Sequence, residues 1–229
     1  GLPADTPTAA ATPDYRAQTL ILLPEDAPEP NASAFQQQLD AALVALGTTL
    51  AGRLVVIFPS HAALRATAAG IRRALEERDV LLLAQGIDGS VRQLWQTFRT
   101  QRRVVLLGAG AFWEGGTLEG RAPACIVVAR LPFPSLSDPL LAARADVWPD
   151  QQAQFVVPHA ALRLRQALNG LAWSHQQRNA VVLFDRRLLS RDYGARVLDT
   201  LPRCERRTVA AEQLAGEVAA WVGDAHATP

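Results

Sequence analysis

The chain has 229 residues, a net charge of +1, 49% hydrophobic residues and 20% charged residues. This is enough apolar material for a sizeable soluble core. No apolar run reaches the roughly 18 residues of a membrane span, and the near-neutral charge leaves local patches as the only route to nucleic acid. From the start, "GLPADTPTAAATP" lacks the basic end and apolar centre of a signal peptide. Residues 1–14 read as a disordered tail or a linker from something upstream. Met is absent, even at the first position, as expected of a piece of a longer protein. Lys is absent too; with the abundant Ala this looks like coding bias, so the choice of Arg carries little functional weight.

Beyond the tail the pattern alternates. Continuous apolar runs at Thr19–Leu23, Leu54–Phe58, Val80–Leu83, Val104–Leu107, Ile126–Ala129 and Ala180–Phe184 predict strands covered on both faces. Between them lie helical periodicities. Phe35, Leu39, Leu43 and Leu46 share a face over Phe35–Leu50, and Leu64, Ala68, Ile71 and Leu75 share one over His61–Arg78. Val91, Leu94, Trp95 and Phe98 do so over Ser90–Thr100. Further helices are expected over His159–Ser174 and over Ala210–Val222, the last carrying Leu214, Val218, Trp221 and Val222. "LPFPSLSDP" (Leu131–Pro139) and "DVWPDQQAQ" (Asp146–Gln154) read as loops. The alternation predicts an α/β fold, a mostly parallel sheet with helices on both faces, in one domain over residues 15–205. Residues 206–229 add a C-terminal helix and tail.

The stretch "RVVLLGAGAFWEGGTLEG" feeds an apolar run into Gly-x-Gly. It is not the dinucleotide fingerprint, because the third glycine position is Trp113 and the glycine-rich continuation cannot open a helix. It is not a phosphate loop, which requires Lys. A ligand is still expected there, since open α/β sheets bind at the carboxyl ends of their strands. The two cysteines, Cys125 and Cys204, make neither a disulfide framework nor a closed zinc site, and fit a reducing cytoplasm. His61, His159, His175 and His226 are too scattered to be metal ligands. Arg99, Arg102 and Arg103, and Arg203, Arg206 and Arg207, are basic clusters that read as solvated surface or, more sharply, as a path for a nucleic-acid backbone.

In order along the chain, "FPSHAALRATAAGIR", "LLGAGAFWEGGTLEG", "LPFPSLSDPLLAARAD", "LRLRQALNGLAW" and "AVVLFDRRLLSRDYGARVLDTLP" resemble the second motor domain of DinG/XPD-type superfamily 2 DNA helicases. The resemblance runs from about Tyr15 to Pro202. It implies a RecA-like three-layer sandwich that grips single-stranded DNA and closes one side of an ATP site. ATP and Mg²⁺ would be held only together with an upstream RecA-like domain, so this chain alone is not expected to hydrolyse ATP.

The resemblance also implies roles for particular residues. Ser60 and His61, after the second apolar run, stand in motif IV and are expected at a helix start facing DNA; Ser60 reads equally as an N-cap, and His61 as a solvent-facing residue. Gly108, Ala109 and Gly110 stand in motif V, where backbone N–H groups would meet a DNA phosphate. Ala109 and Ala111 replace small hydroxyl residues, and Thr117 replaces an Asp. Glu114 would orient motif VI or face nucleotide, and Trp113 reads as core packing. In motif VI Gln166 matches, whereas Gly170 and Trp173 stand where two arginines normally reach the ATP phosphates. Arg163 or Arg165, one turn upstream, or Arg178, which follows, could replace them only by a shift of register. Asp185 is expected to anchor the motif VI helix, and Arg187 to join a structural network with Arg191 and Tyr193. The departures leave a second reading open, a non-hydrolysing degenerate domain that binds DNA or protein.

Overall fold

The computed structural model describes residues 15–114, 122–169, 171–172 and 177–223. The apolar runs form strands β1 (Thr19–Pro24), β2 (Leu54–Phe58), β3 (Leu81–Ala84), β4 (Val104–Ala109), β5 (Cys125–Val128) and β6 (Asn179–Leu183). All but β3 are buried at every position, and β3 is open only at Leu81. A seventh strand, β7 (Glu205–Val209), completes one sheet of order β3-β4-β2-β5-β6-β1-β7. Every pairing is parallel.

Successive side chains of a strand leave on opposite faces, and the core divides accordingly. Leu20, Leu22, Leu54 and Val56 pack with α1 (Ala34–Thr49), α2 (His61–Glu76) and α8 (Leu214–Gly223). Ile21, Leu23, Val55 and Ile57 pack with α3 (Val91–Thr100), α5 (Val157–Asn169), α6 (Arg187–Ser190) and α7 (Gly194–Asp199). The result is a helix–sheet–helix sandwich. Helix α3 starts where a capping box predicts it: the Ser90 hydroxyl accepts from Gln93 N–H, and the Gln93 side chain accepts from Ser90 N–H.

One strand was not expected from the sequence. Strand β7 spans the 205/206 position at which the main domain was expected to end, and it pairs with β1 from Leu20↔Glu205 to Pro24↔Val209. Its residues, Glu-Arg-Arg-Thr-Val, carry no apolar run because an edge strand is only partly covered; charged side chains there also discourage pairing with another chain. The expected loops hold over 131–138 and 146–150, and helix begins only at their C-terminal ends. Asp138 caps α4 (Pro139–Ala145) by accepting from Leu140 N–H at 2.8 Å, with Pro139 at the first helical position. A π-turn over Gln152–Val156 then leads into α5.

The topology opens two crevices at the carboxyl edge. The chain leaves β2 toward one face and its neighbour β5 toward the other; β6 and β1 diverge in the same way. Such divergence points are where open α/β sheets take ligands.

Candidate functional site

At the first crevice β2 ends at Phe58, and Ser60 caps α2, its hydroxyl accepting from Ala63 N–H at 3.2 Å. The cap is extended (φ −150°, ψ 154°) and exposed, so the hydroxyl proton remains directed at solvent or a ligand. His61, in the first turn, is also exposed. Next to it lies the turn that follows β4. Gly110 has φ +53°, and its missing Cβ would lie 3.5 Å from His61 Nε2. The fold therefore brings Ser60, His61 and Gly110 to one edge from two separate segments.

The rest of Gly108–Gly110 is not an open loop. Gly108 and Ala109 belong to β4, opposite Ile57 and Phe58 of β2. Ala109 is buried, and its N–H donates to Gln85 Oε1 at 2.8 Å. Gly108 is required by packing, since a Cβ there would lie 2.1 Å from the Phe112 ring. Gly108→Ala should therefore destabilise the chain by about 1–3 kcal/mol, and Phe112→Ala should remove most of that increment. A double-mutant cycle by urea unfolding checks this coupling.

The 3₁₀ turn Gly110–Glu114 is pinned from below. Trp113 is buried, and its indole N–H donates to the Phe58 carbonyl at 2.7 Å. Phe112 stacks on Trp95 of α3 with ring centroids 5.2 Å apart. Glu114, at the end of this turn, is exposed.

Gln166 is also exposed, but elsewhere. Val157, Ala161 and Leu164 of α5 share a core cluster with Phe112 and Trp113, near the carboxyl edge. From there α5 runs back along the sheet, and Gln166 lies nine residues past Val157, roughly 13 Å of helix rise. The segment after α5 reaches the amino edge, where the Ala172 carbonyl accepts from the Asn179 side chain at the start of β6. Glu114 and Gln166 thus face different levels of the sandwich, and no hydrogen bond joins them among the described residues. Thr117, Gly170 and Trp173 lie outside the described residues.

The second crevice holds a charged network. Asp185, following β6, is 1% exposed and accepts from Leu131 N–H at 2.8 Å. It also accepts from Arg187 Nε at 2.8 Å and Arg187 Nη2 at 2.6 Å. These bonds tie the end of β6 to the loop after β5; among the described residues none reaches α5, the helix Asp185 was expected to hold. Burial opposes the Arg187 charge, but the hydrogen bonds and charge of Asp185 outweigh it and raise the guanidinium above its ordinary pKa. Arg187 also lies over the Phe133 ring, 4.8 Å from its centroid, and Phe133 packs edge-on against Tyr193. Arg191 and Ser190 reach Glu29 instead, at 3.9 and 3.1 Å. Cys125 is fully buried, and burial pushes its thiol far above the ordinary range, so it is a packing residue. Among the described residues no group of three or more His, Cys, Asp or Glu could hold a metal ion, and no helix is long and apolar enough to cross a membrane.

Two residues at this edge escaped sequence reasoning. Gln85 carries no local signal, since it meets Ala109 only through the β3–β4 pairing. Arg130 lies just before "LPF", but only the fold sets it on α1.

A seven-stranded parallel sheet covered by helices on both faces defines a three-layer α/β domain whose ligand edge is the carboxyl one. A family model described as the helicase C-terminal domain matches residues 43–204. The chain belongs to this family, and within it to the DinG/XPD type. It is 32% identical over 177 residues to the 3'-5' exonuclease DinG of Bacillus subtilis (strain 168), covering 74% of this chain and 18% of that protein. It is 31% identical over 197 residues to the ATP-dependent DNA helicase YoaA of Escherichia coli (strain K12), covering 84% of this chain and 30% of that protein. A solved XPD helicase superposes with a TM-score of 0.61 at 17% identity, over 84% of this chain and 36% of the other. The chain thus spans under a third of the length of these two curated relatives.

Proposed function

We propose that this domain is the second motor half of an ATP-dependent DNA helicase and that its carboxyl edge contacts single-stranded DNA. The observation that supports this most directly is the convergence of Ser60, His61 and Gly110 on one edge, with His61 Nε2 3.5 Å from the place a Gly110 Cβ would occupy. Ser60 and the first turn of α2 offer donors to a phosphate, and the missing side chain of Gly110 lets a backbone approach. Gly108 and Ala109 then shape the turn rather than touch DNA. Glu114 and Gln166, though at different levels of the sandwich, are both assigned to the face that an upstream RecA-like domain completes, with ATP and Mg²⁺ held between the two domains.

A second reading, a degenerate domain that binds DNA without driving hydrolysis, is favoured by one feature of the sequence. Gly170, Trp173 and Thr117 hold positions where the family usually has two arginines and an Asp. Neither Gly nor Trp can neutralise charge on a transferring phosphoryl group, an effect worth on the order of 10³–10⁵ in rate.

The two readings separate in one pair of measurements. Both expect the intact chain to bind single-stranded DNA with an affinity that falls steeply with salt. Only the motor reading expects DNA-stimulated ATP hydrolysis when the upstream half is present. Loss of that hydrolysis in Arg165→Ala would assign the finger role to Arg165, which is exposed on α5. Absence of salt-sensitive DNA binding would overturn both readings.

A further inference from the structure

Arg130 follows β5, the central strand of the sheet, and Ala129 just before it donates its N–H to Ile57 of β2 at 3.0 Å. Its backbone is therefore one strand away from the segment that carries Ser60. Its side chain crosses toward the α1 face, with the guanidinium carbon 4.3 Å from the centroid of the Phe35 ring. Phe35 opens α1 and packs edge-on against Phe184 at the end of β6. The first turn of α1 is joined to α2, since the Gln36 amide donates to Thr67 Oγ1 at 2.8 Å. Arg130 thus lies over the first turn of α1, a helix that begins at the carboxyl edge and is joined there to α2.

The charges around it are spoken for. Asp185 is engaged by Arg187 and by Leu131 N–H, and Glu29 by Arg191 and Ser190. Arg130 forms no ion pair among the described residues. It is half-buried; burial first, and then the positive charge of Arg187, hold its guanidinium below the ordinary pKa, with Asp185 acting the other way. A half-buried cation on an aromatic platform, with no ion pair among the described residues, carries a positive potential that a bound anion would offset. Aromatic stacking also fixes the plane of the guanidinium, which leaves its N–H fork available for a phosphate.

We infer that Arg130 is a further contact to a nucleic-acid phosphate, extending the Ser60–His61–Gly110 edge across β5 toward α1. This rests on the proposal that single-stranded DNA follows the carboxyl edge. On single strands each phosphate neutralised contributes about 0.7 to the slope of log affinity against log salt. Arg130→Ala in the intact chain should weaken binding of an oligo(dT) about tenfold and make that slope shallower by about 0.7. Arg130→Lys should keep the slope. If Arg130→Ala does not fold by circular dichroism, Arg130→Gln, which keeps a planar group over Phe35, reads the same quantity. An unchanged slope in a folded, DNA-binding Ala or Gln variant would overturn the inference and leave the edge proposal standing. A wild-type chain that does not bind oligo(dT) would overturn both.

Discussion

Asp185→Asn is expected to cost about 3–5 kcal/mol of stability, the range for breaking a buried ion pair. The lower half of that range applies, because the Arg187 side chain keeps 24% of its surface in water while that of Asp185 has none. Asn preserves the shape and can still accept from Leu131 N–H. It cannot accept from both Arg187 nitrogens with its amide N–H₂ turned toward one of them. The half-buried guanidinium then keeps one neutral hydrogen bond and the Phe133 ring but loses the charge of Asp185. Asp185→Asn with Arg187→Met, which removes both charges, should be clearly more stable than the sum of the two single effects. Urea unfolding of the four proteins measures this coupling. A cost below 1 kcal/mol for Asp185→Asn would show that the network does not brace the ends of β5 and β6.

Trp113→Ala is expected to reach about 3–5 kcal/mol through the lost side chain, and to add a penalty by leaving the Phe58 carbonyl without its donor. The Phe58 side chain beside that carbonyl is fully buried. Trp113→Phe retains much of the apolar contact and should lose only about 1–2 kcal/mol, mainly the hydrogen bond. The cavity would open under the turn that carries Gly110, so the folded fraction of Trp113→Ala should also bind oligo(dT) less tightly. Thermal melts followed by near-ultraviolet circular dichroism and by binding separate the two effects. Unchanged binding with lowered stability would mean that the Gly110 turn keeps its shape without the indole.

Much of the fold was legible because burial on both faces leaves one kind of trace. A strand covered by helices above and below has no position for a polar residue, so "LVVIF" and "VVLL" announce themselves. The helices were legible for a related reason: Leu64, Ala68, Ile71 and Leu75 repeat at the helical period because only one side of α2 meets the sheet. Motif order carried the family, since blocks of residue types in sequence survive without knowledge of contacts. Less of the site was legible. Local spacing could not say that Gly108 serves the Phe112 ring, nor that the Ala109 amide is already engaged by Gln85.

The sequence by itself determined the alternation of strand and helix, the parallel sheet and the family. These follow from local patterning, which depends on burial and on order along the chain. Only the tertiary structure decided which residues meet. It recruited the charged segment Glu205–Val209 as an edge strand, because pairing with β1 satisfies its backbone whatever its side chains. It placed His61 against Gly110, separated Glu114 from Gln166 along α5, and turned Asp185 toward Leu131 and Arg187. Those outcomes depend on strand order and helix direction, long-range properties to which no short stretch of residues is sensitive.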